Sequence, residues 1–203
     1  MRFILKNIDL NLAWKDNNFH SVVDLPGDYT VLDLAKKPWP NIGTEFCIGK
    51  YDEIRPNMYT TPIFAGIRNI HVGIDIGGPV GTPCMAFEKG IISNFGYNSE
   101  PGDYGFVLIT EHNILGIDIW ALYGHLSSKS VDGKDIGQAI EKGETIAWFG
   151  NEGENGGWSP HLHFQLSLIK PETHDLPGVV SAKDRKQALK TFPDPRLVLG
   201  PIY

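Results

Sequence analysis

Two histidines, His161 and His163, stand one residue apart in "SPHLHFQL". In an extended chain residues i and i+2 point to the same side. The two imidazoles therefore project together, while Leu162 and Phe164 face the other way. That is the pattern of a strand with one face on an apolar core and one on a cleft. A second cluster lies in "HVGIDIG", residues 71–77. The β-branched Val72, Ile74 and Ile76, with Gly73, Gly77 and Gly78, argue for a strand and against a helix. On a strand His71, Gly73 and Asp75 share a face, and Gly73 leaves space beside them for an ion or a substrate backbone. A third histidine, His125, closes "IDIWALYGH" three residues before Ser128. His20, His112 and His174 have no partner pattern; His112, after Glu111 at the end of an extended run, reads as a supporting or structural residue.

Imidazole and carboxylate suit zinc better than calcium or magnesium, which prefer mainly oxygen. Two histidines and one aspartate make three protein ligands and leave a fourth position open, the mark of a catalytic ion rather than a structural one. Of the five side chains His71, Asp75, His125, His161 and His163, three would bind and two would remain for chemistry. Asp75 has a second role open to it, orienting a ligand without binding the ion itself.

Positioning these groups requires strands, and the sequence is dense in them between residues 68 and 170. "PCMAF" and "IISNFGY" read as a hairpin joined by Glu88-Lys89-Gly90. "YGFVLITEH", "IDIWALYGHL" and "HLHFQLSLI" are further strands, and "IGQAIEKGETIAWFG" is a strand-turn-strand punctuated by Gly137 and Gly143. Residues 1–67 read as an irregular, turn-rich segment packing on that core, with "YTVLDL" as a short extended candidate. Residues 171–203 form a tail, in which Ser181 and Asp184 resemble a helix-starting pair. "AKDRKQALK" then becomes a short C-terminal helix stopped before Pro193.

The bulk properties agree. A chain of 203 residues with 41% hydrophobic and 21% charged residues supports one buried core. With 23 glycines and 14 prolines it favours strands and tight turns, so the fold class is mainly β. A formal charge of −6 with no basic stripe makes nucleic acid and anionic membrane surfaces poor candidate partners, so no nucleic acid is expected. Cys47 and Cys84 form neither a metal pair nor a disulfide framework, and Cys84 reads as a buried small hydrophobe. No apolar run approaches the ~18 residues of a membrane span. The opening "MRFILKNIDLNLAW" is broken by Lys6, Asn7 and Asp9 and does not read as a secretory signal. The chain as given is thus expected in the cytoplasm, with export open for a fragment of something longer. No residue pattern fixes an oligomeric state.

"HVGID", "YGHL" and "SPHLHF", in that order, resemble the three signature motifs of the lysostaphin-like, LytM-type zinc metallopeptidases. The intervening "GTPCMAFEKGIISNFG" and "IGQAIEKGETIAWFG" are similar to that family's spacers, so the resemblance covers residues 68–168. It implies an antiparallel β-sheet of barrel-sandwich hybrid type with an open groove. It also implies one Zn2+ held by His71, Asp75 and His163, with His125 and His161 as the two catalytic histidines. Tyr123, Asn155 and Trp158 become candidate groove residues, core packing being the other reading of Tyr123 and Trp158. The tyrosine that some members place six residues upstream of the first motif is absent, Ala65 standing there, and Tyr59 or Arg68 would substitute. The implied activity is endopeptidase cleavage of a small-residue peptide of the peptidoglycan cross-link type by metal-activated water. An intracellular zinc hydrolase or amidase on a non-wall substrate and a non-catalytic regulatory module of the same fold are the alternatives. "PGDYGFVLITEH", "NGGWSPHLHFQL" and "PGVV…FPDPRLVLG" also resemble the peptidase-like module fused to class III aminotransferases.

Overall fold

The structure is a computed structural model, and it describes residues 9–14, 16–37 and 45–203. The rest of the N-terminal region lies outside the described residues. Among the described residues three strands precede the first motif: β1 (Thr30–Val31), β2 (Cys47–Gly49) and β3 (Glu53–Ile54). The motif itself spans β4 (Arg68–His71) and β5 (Ile74–Gly77), and β6 (Pro83–Met85) and β7 (Gly90–Asn98) follow. The long central strands are β8 (Gly105–Ile114) and β9 (Ile117–Leu126). Next come β10 (Ala139–Ile140), β11 (Thr145–Trp148), β12 (His161–Ser167) and β13 (Val179–Ser181). Among the described residues the helices are short: α1 (Leu10–Trp14), α2 (Arg185–Thr191) and α3 (Arg196–Leu199). None is long and apolar enough to cross a membrane.

The main sheet has the order β1-β2-β5-β12-β9-β8-β7-β10, antiparallel except for the β1–β2 pair. A three-stranded sheet β13-β4-β3 and a two-stranded sheet β11-β6 pack beside it. Both faces of the central strands are covered. Leu108, Tyr123, Leu162, Phe164 and Leu166 enter one apolar core, while Val107, Ile109 and Leu122 meet Ile70, Val72, Val180 and Phe192 in another. This alternation is what a two-sided sandwich demands. Cys84 is fully buried and unpaired.

Three local expectations change. Residues 83–97 do not form a hairpin: β6 pairs with β11 and β7 pairs with β8 and β10. The fully buried Ala86 and Phe87 carry the chain through the core between the two sheets. The helix expected over residues 182–190 begins later, at Arg185, because Ser181 belongs to β13 and residues 181–184 form a turn closed by the Asp184 N–H on the Ser181 carbonyl. Residues 71–77 are not one strand. The chain bends at Val72–Gly73 and passes from the three-stranded sheet into the main sheet.

Candidate metal centre

Strand register builds the site. His163 on β12 lies directly opposite Asp75 on β5, and on its other side opposite Gly124 on β9. Leu162, Phe164 and Leu166 anchor the reverse face of β12 in the core, which fixes the two histidines toward the cleft. His71 arrives from the neighbouring sheet, across the bend. The bend keeps the three donors together: His71 Nε2 lies 3.0 Å from His163 Nδ1 and 3.1 Å from Asp75 Oδ1, and His163 Nδ1 lies 3.1 Å from the same oxygen. Gly73 permits this, but not by leaving space for an ion. A Cβ there would meet Cε1 and Nε2 of His163 at 2.5 Å, so the missing side chain accommodates the His163 ring.

The far nitrogens settle the tautomers. The Lys50 carbonyl, 2.9 Å from His71 Nδ1, accepts its proton. Gln165 Oε1, 3.0 Å from His163 Nε2, accepts that one, since Gln165 Nε2 donates to the Pro177 carbonyl. The two inward nitrogens and Asp75 Oδ1 then present three lone pairs to one another with no proton between them, an arrangement that calls for a cation. Donors bound tetrahedrally to zinc at 2.0–2.1 Å lie about 3.3 Å apart, close to the separations found. The residues present fit one zinc ion.

His125 and His161 stand beside this triangle, ring centroids 4.2 Å apart. His161 Nδ1 faces the Ser159 carbonyl at 2.7 Å and His125 Nδ1 the Asn155 carbonyl at 2.8 Å, which leaves each Nε2 as the free acceptor. His161 Nε2 is 4.0 Å from Asp75 Oδ1. His125 has a left-handed backbone, φ 62°, where the register between β8 and β9 shifts. Such a bulge re-aims a side chain. On a regular strand His125 would share a face with Tyr123. The bulge turns it into the cleft and leaves Tyr123 fully buried, packed on Phe164 and donating to the Met85 carbonyl at 3.2 Å. Tyr123 is a core residue, not a groove residue.

Electrostatics follow burial. Desolvation, then the Arg55 charge, brings the His71 pKa down to about 4. Burial and the neighbouring His161 hold His125 well below the usual imidazole range, and burial lowers His161 as well. For Asp75 burial pushes upward but is outweighed by neighbouring positive charge, the Arg55 guanidinium on its Oδ2 foremost, so the carboxyl sits well below the usual carboxylate range. At neutral pH His71, His125 and His161 are therefore neutral and Asp75 is ionised.

The cleft has a volume of about 600 Å³. Tyr59, Phe64, Arg68 and Trp158 line it. The Tyr59 ring lies 4.9 Å from Phe64 and 6.1 Å from Trp158, and the Arg68 guanidinium lies over Phe64 and donates to the Ile63 carbonyl. Asn155 does not line the groove. It is fully buried, its Oδ1 accepting from the Gly157 and Trp158 N–H groups and its Nδ2 donating to the Trp158 carbonyl. It shapes the loop that carries Trp158 and supplies the carbonyl that orients His125.

Sequence reasoning missed Tyr104, Gln165, Glu53 and Arg55. The Tyr104 hydroxyl donates to the Leu176 carbonyl and lies 3.5 Å from His163 Nε2, and burial keeps it well above the usual phenol range. Gln165 had a signal, since it continues the i, i+2 series of His161 and His163. Arg55 donates to Asp75 Oδ2 at 2.7 Å and to Glu53 Oε2 at 2.9 Å. Nothing in the local sequence marks that pair as buried.

The sequence matches the model of peptidase family M23 over residues 69–174, just over half of the chain. An uncharacterized metalloprotease of Haemophilus influenzae is 33% identical over 147 residues, covering 69% of this chain and 29% of that protein. The DD-carboxypeptidase/endopeptidase Mpg of Neisseria meningitidis serogroup B is 34% identical over 113 residues, covering 53% of this chain and 23% of that protein. The chain thus spans less than a third of the length of these relatives. Among solved structures, the catalytic domain of the antimicrobial peptidase lysostaphin from Staphylococcus simulans gives a TM-score of 0.48 at 22% identity, covering 70% of this chain and 92% of that one.

Proposed function

Since the chain belongs to peptidase family M23, we propose that it is a zinc-dependent endopeptidase that hydrolyses a small-residue peptide of the peptidoglycan cross-link type. The observation that carries this reading is the convergence of His71 Nε2, Asp75 Oδ1 and His163 Nδ1 within 3.0–3.1 Å, with their outward nitrogens already committed to other acceptors. A relative named DD-carboxypeptidase/endopeptidase supports the endopeptidase part.

A zinc ion held by His71, Asp75 and His163 would supply a water of lowered pKa, about 7, and a Lewis acid for the scissile carbonyl. The chain's own residues supply the rest. One of His161 and His125, neutral and with Nε2 free, accepts the proton of the attacking water; the imidazolium so formed steadies the charge that develops on the carbonyl oxygen and then gives that proton to the leaving amine, while the other ring positions the water. Backbone carbonyls of Ser159 and Asn155 fix both rings by their Nδ1–H groups. Tyr59, Phe64 and Trp158 form the groove wall that orients the peptide.

Metal analysis of the purified chain is expected to return one zinc per molecule. Digests of pentaglycine, cell-wall fragments and an unbiased peptide library are expected to show chelator-sensitive cleavage of the wall-type peptides. A zinc-loaded chain that cleaves none of them is a regulatory module of the same fold. Cleavage confined to non-wall peptides favours a zinc hydrolase or amidase on a non-wall substrate, which the resemblance to the aminotransferase-fused module allows.

A further inference from the structure

We infer that Arg55 is a positioning residue for the metal centre: its buried guanidinium holds the outer oxygen of Asp75, so that the inner oxygen alone faces the two histidines. This rests on the metal reading proposed above. Arg55 is only 2% exposed. Its Nη1 donates to Asp75 Oδ2 at 2.7 Å and to the Tyr59 hydroxyl at 2.9 Å, its Nε to Glu53 Oε2 at 2.9 Å, and its Nη2 to the Lys50 carbonyl at 3.3 Å. A cation this deep is tolerated only when paired and hydrogen-bonded. Glu53 is the partner that makes it so, and is itself held by the Leu34 N–H at 3.0 Å and by Lys50 Nζ at 3.6 Å. With one oxygen of Asp75 engaged, the carboxylate can neither rotate nor swing to a bidentate pose. A planar fork that spans two carboxylates is what arginine offers and lysine does not.

The backbone around Arg55 serves the same end. The pairing of β3 with β4 puts Glu53 opposite His71, and the Arg55 N–H donates to the Asn69 carbonyl at 2.8 Å. Lys50 supplies the carbonyl that orients His71. Gly49 lies opposite Asp75, and a Cβ there would meet Arg55 Nη2 at 2.8 Å and Asp75 Cβ at 3.2 Å. Residues 49–55 thus orient two of the three donors, and all of them precede residues 69–174, the stretch matched by the family model. Two of the three donors of this chain are oriented from outside that stretch, and the third, His163, from within it by Gln165.

The test uses the full chain. Arg55→Met alone strands two buried carboxylates, so the charge-balanced Arg55→Met/Glu53→Gln variant is made beside Arg55→Lys. Each is assayed for zinc affinity by competition with a chromogenic chelator, for the visible spectrum of the cobalt-substituted protein, and for the thermal midpoint without metal. Loss of a group that orients a ligand lowers metal affinity about 10–100-fold, and that loss is expected in the double variant, with a shifted cobalt spectrum. Arg55→Lys, which keeps the charge but not the fork, is expected to fall in the same direction. A purely structural ion pair would lower the thermal midpoint and leave affinity and spectrum alone. Wild-type affinity and spectrum in either folded variant overturn the inference and leave the metal reading standing, whereas a wild-type chain that binds no zinc overturns both.

Discussion

Gly73→Ala is the sharpest perturbation of the donor triangle. The new methyl group would stand 2.5 Å from Cε1 and Nε2 of His163 and 3.0 Å from the Phe164 carbonyl oxygen. Carbon atoms settle at about 3.5 Å or more, so the ring must retreat by about 1 Å or the bend must open by as much. Neither is easy. His163 Nε2 is tied to Gln165 Oε1 at 3.0 Å, and β12 is paired on both sides. Ligand distances tolerate deviations of about 0.2 Å and functional constellations about 0.5 Å, so the forced shift exceeds both. Zinc affinity and turnover are each expected to fall on the order of 100-fold. The fold should survive, since overpacking of this kind costs about 1–3 kcal/mol. The assay titrates metal-free protein with zinc against a competing chelator and follows thermal unfolding with and without zinc. By mass action a 100-fold weaker site yields about 2.7 kcal/mol less zinc-dependent stabilisation. A folded Gly73→Ala chain that binds zinc as tightly as the wild type refutes the reasoning.

The other perturbations separate holding an ion from using it, and probe the acidic side of the cleft. His163→Ala is expected to lose both zinc and activity, whereas His125→Ala should keep its zinc and lose about 10²–10⁴ in turnover; metal content and kcat measured on the same preparations decide, and full turnover in His125→Ala contradicts the assignment. Burial, and next to it the charge of Asp103, raises the pKa of Asp175. A carboxyl raised on folding contributes stability that is present below its unfolded pKa of about 3.9 and lost as pH climbs through the folded value. Asp175→Asn is therefore expected to raise the thermal midpoint relative to wild type at pH 7 and not at pH 3, and a lowered midpoint at pH 7 contradicts that sign.

Local periodicity was legible, and long-range register was not. The alternation in "HLHFQL" correctly assigns Leu162 and Phe164 to the core and the two histidines to the opposite face, because that is a property of one strand. The hairpin expected at residues 83–97 fails for the complementary reason. Two adjacent extended runs look like partners, yet β6 finds β11 some sixty residues on and β7 finds β8 and β10. In "HVGID" the residue types pointed to metal ligation, but the bend at Val72–Gly73 depends on β4 and β5 having different neighbours. The placement of Tyr123 in the groove overlooked a bulge set by the shifted pairing of β8 with β9.

The same reasoning explains why the motif histidines announce themselves while their supports do not. A donor must be an imidazole or a carboxylate, so its chemistry survives in the residue type. An orienting group need only accept a proton or fill a space. The Lys50 and Asn155 carbonyls do the former and Gly73 does the latter, and none is chemically conspicuous in the sequence. Arg55 is the exception in type, a charged residue, but its burial is visible only once β3 is laid beside β4 and Glu53 is seen to neutralise it. Because β2, β3, β4, β5 and β12 all meet at the triangle, a one-residue slip in any pairing would send a donor or its support to the wrong face. The apolar cores on the two sides of the sheet hold that register, so the candidate metal centre inherits its precision from Ile70, Val72, Ile74 and Phe164, residues that offer it no donor atom at all.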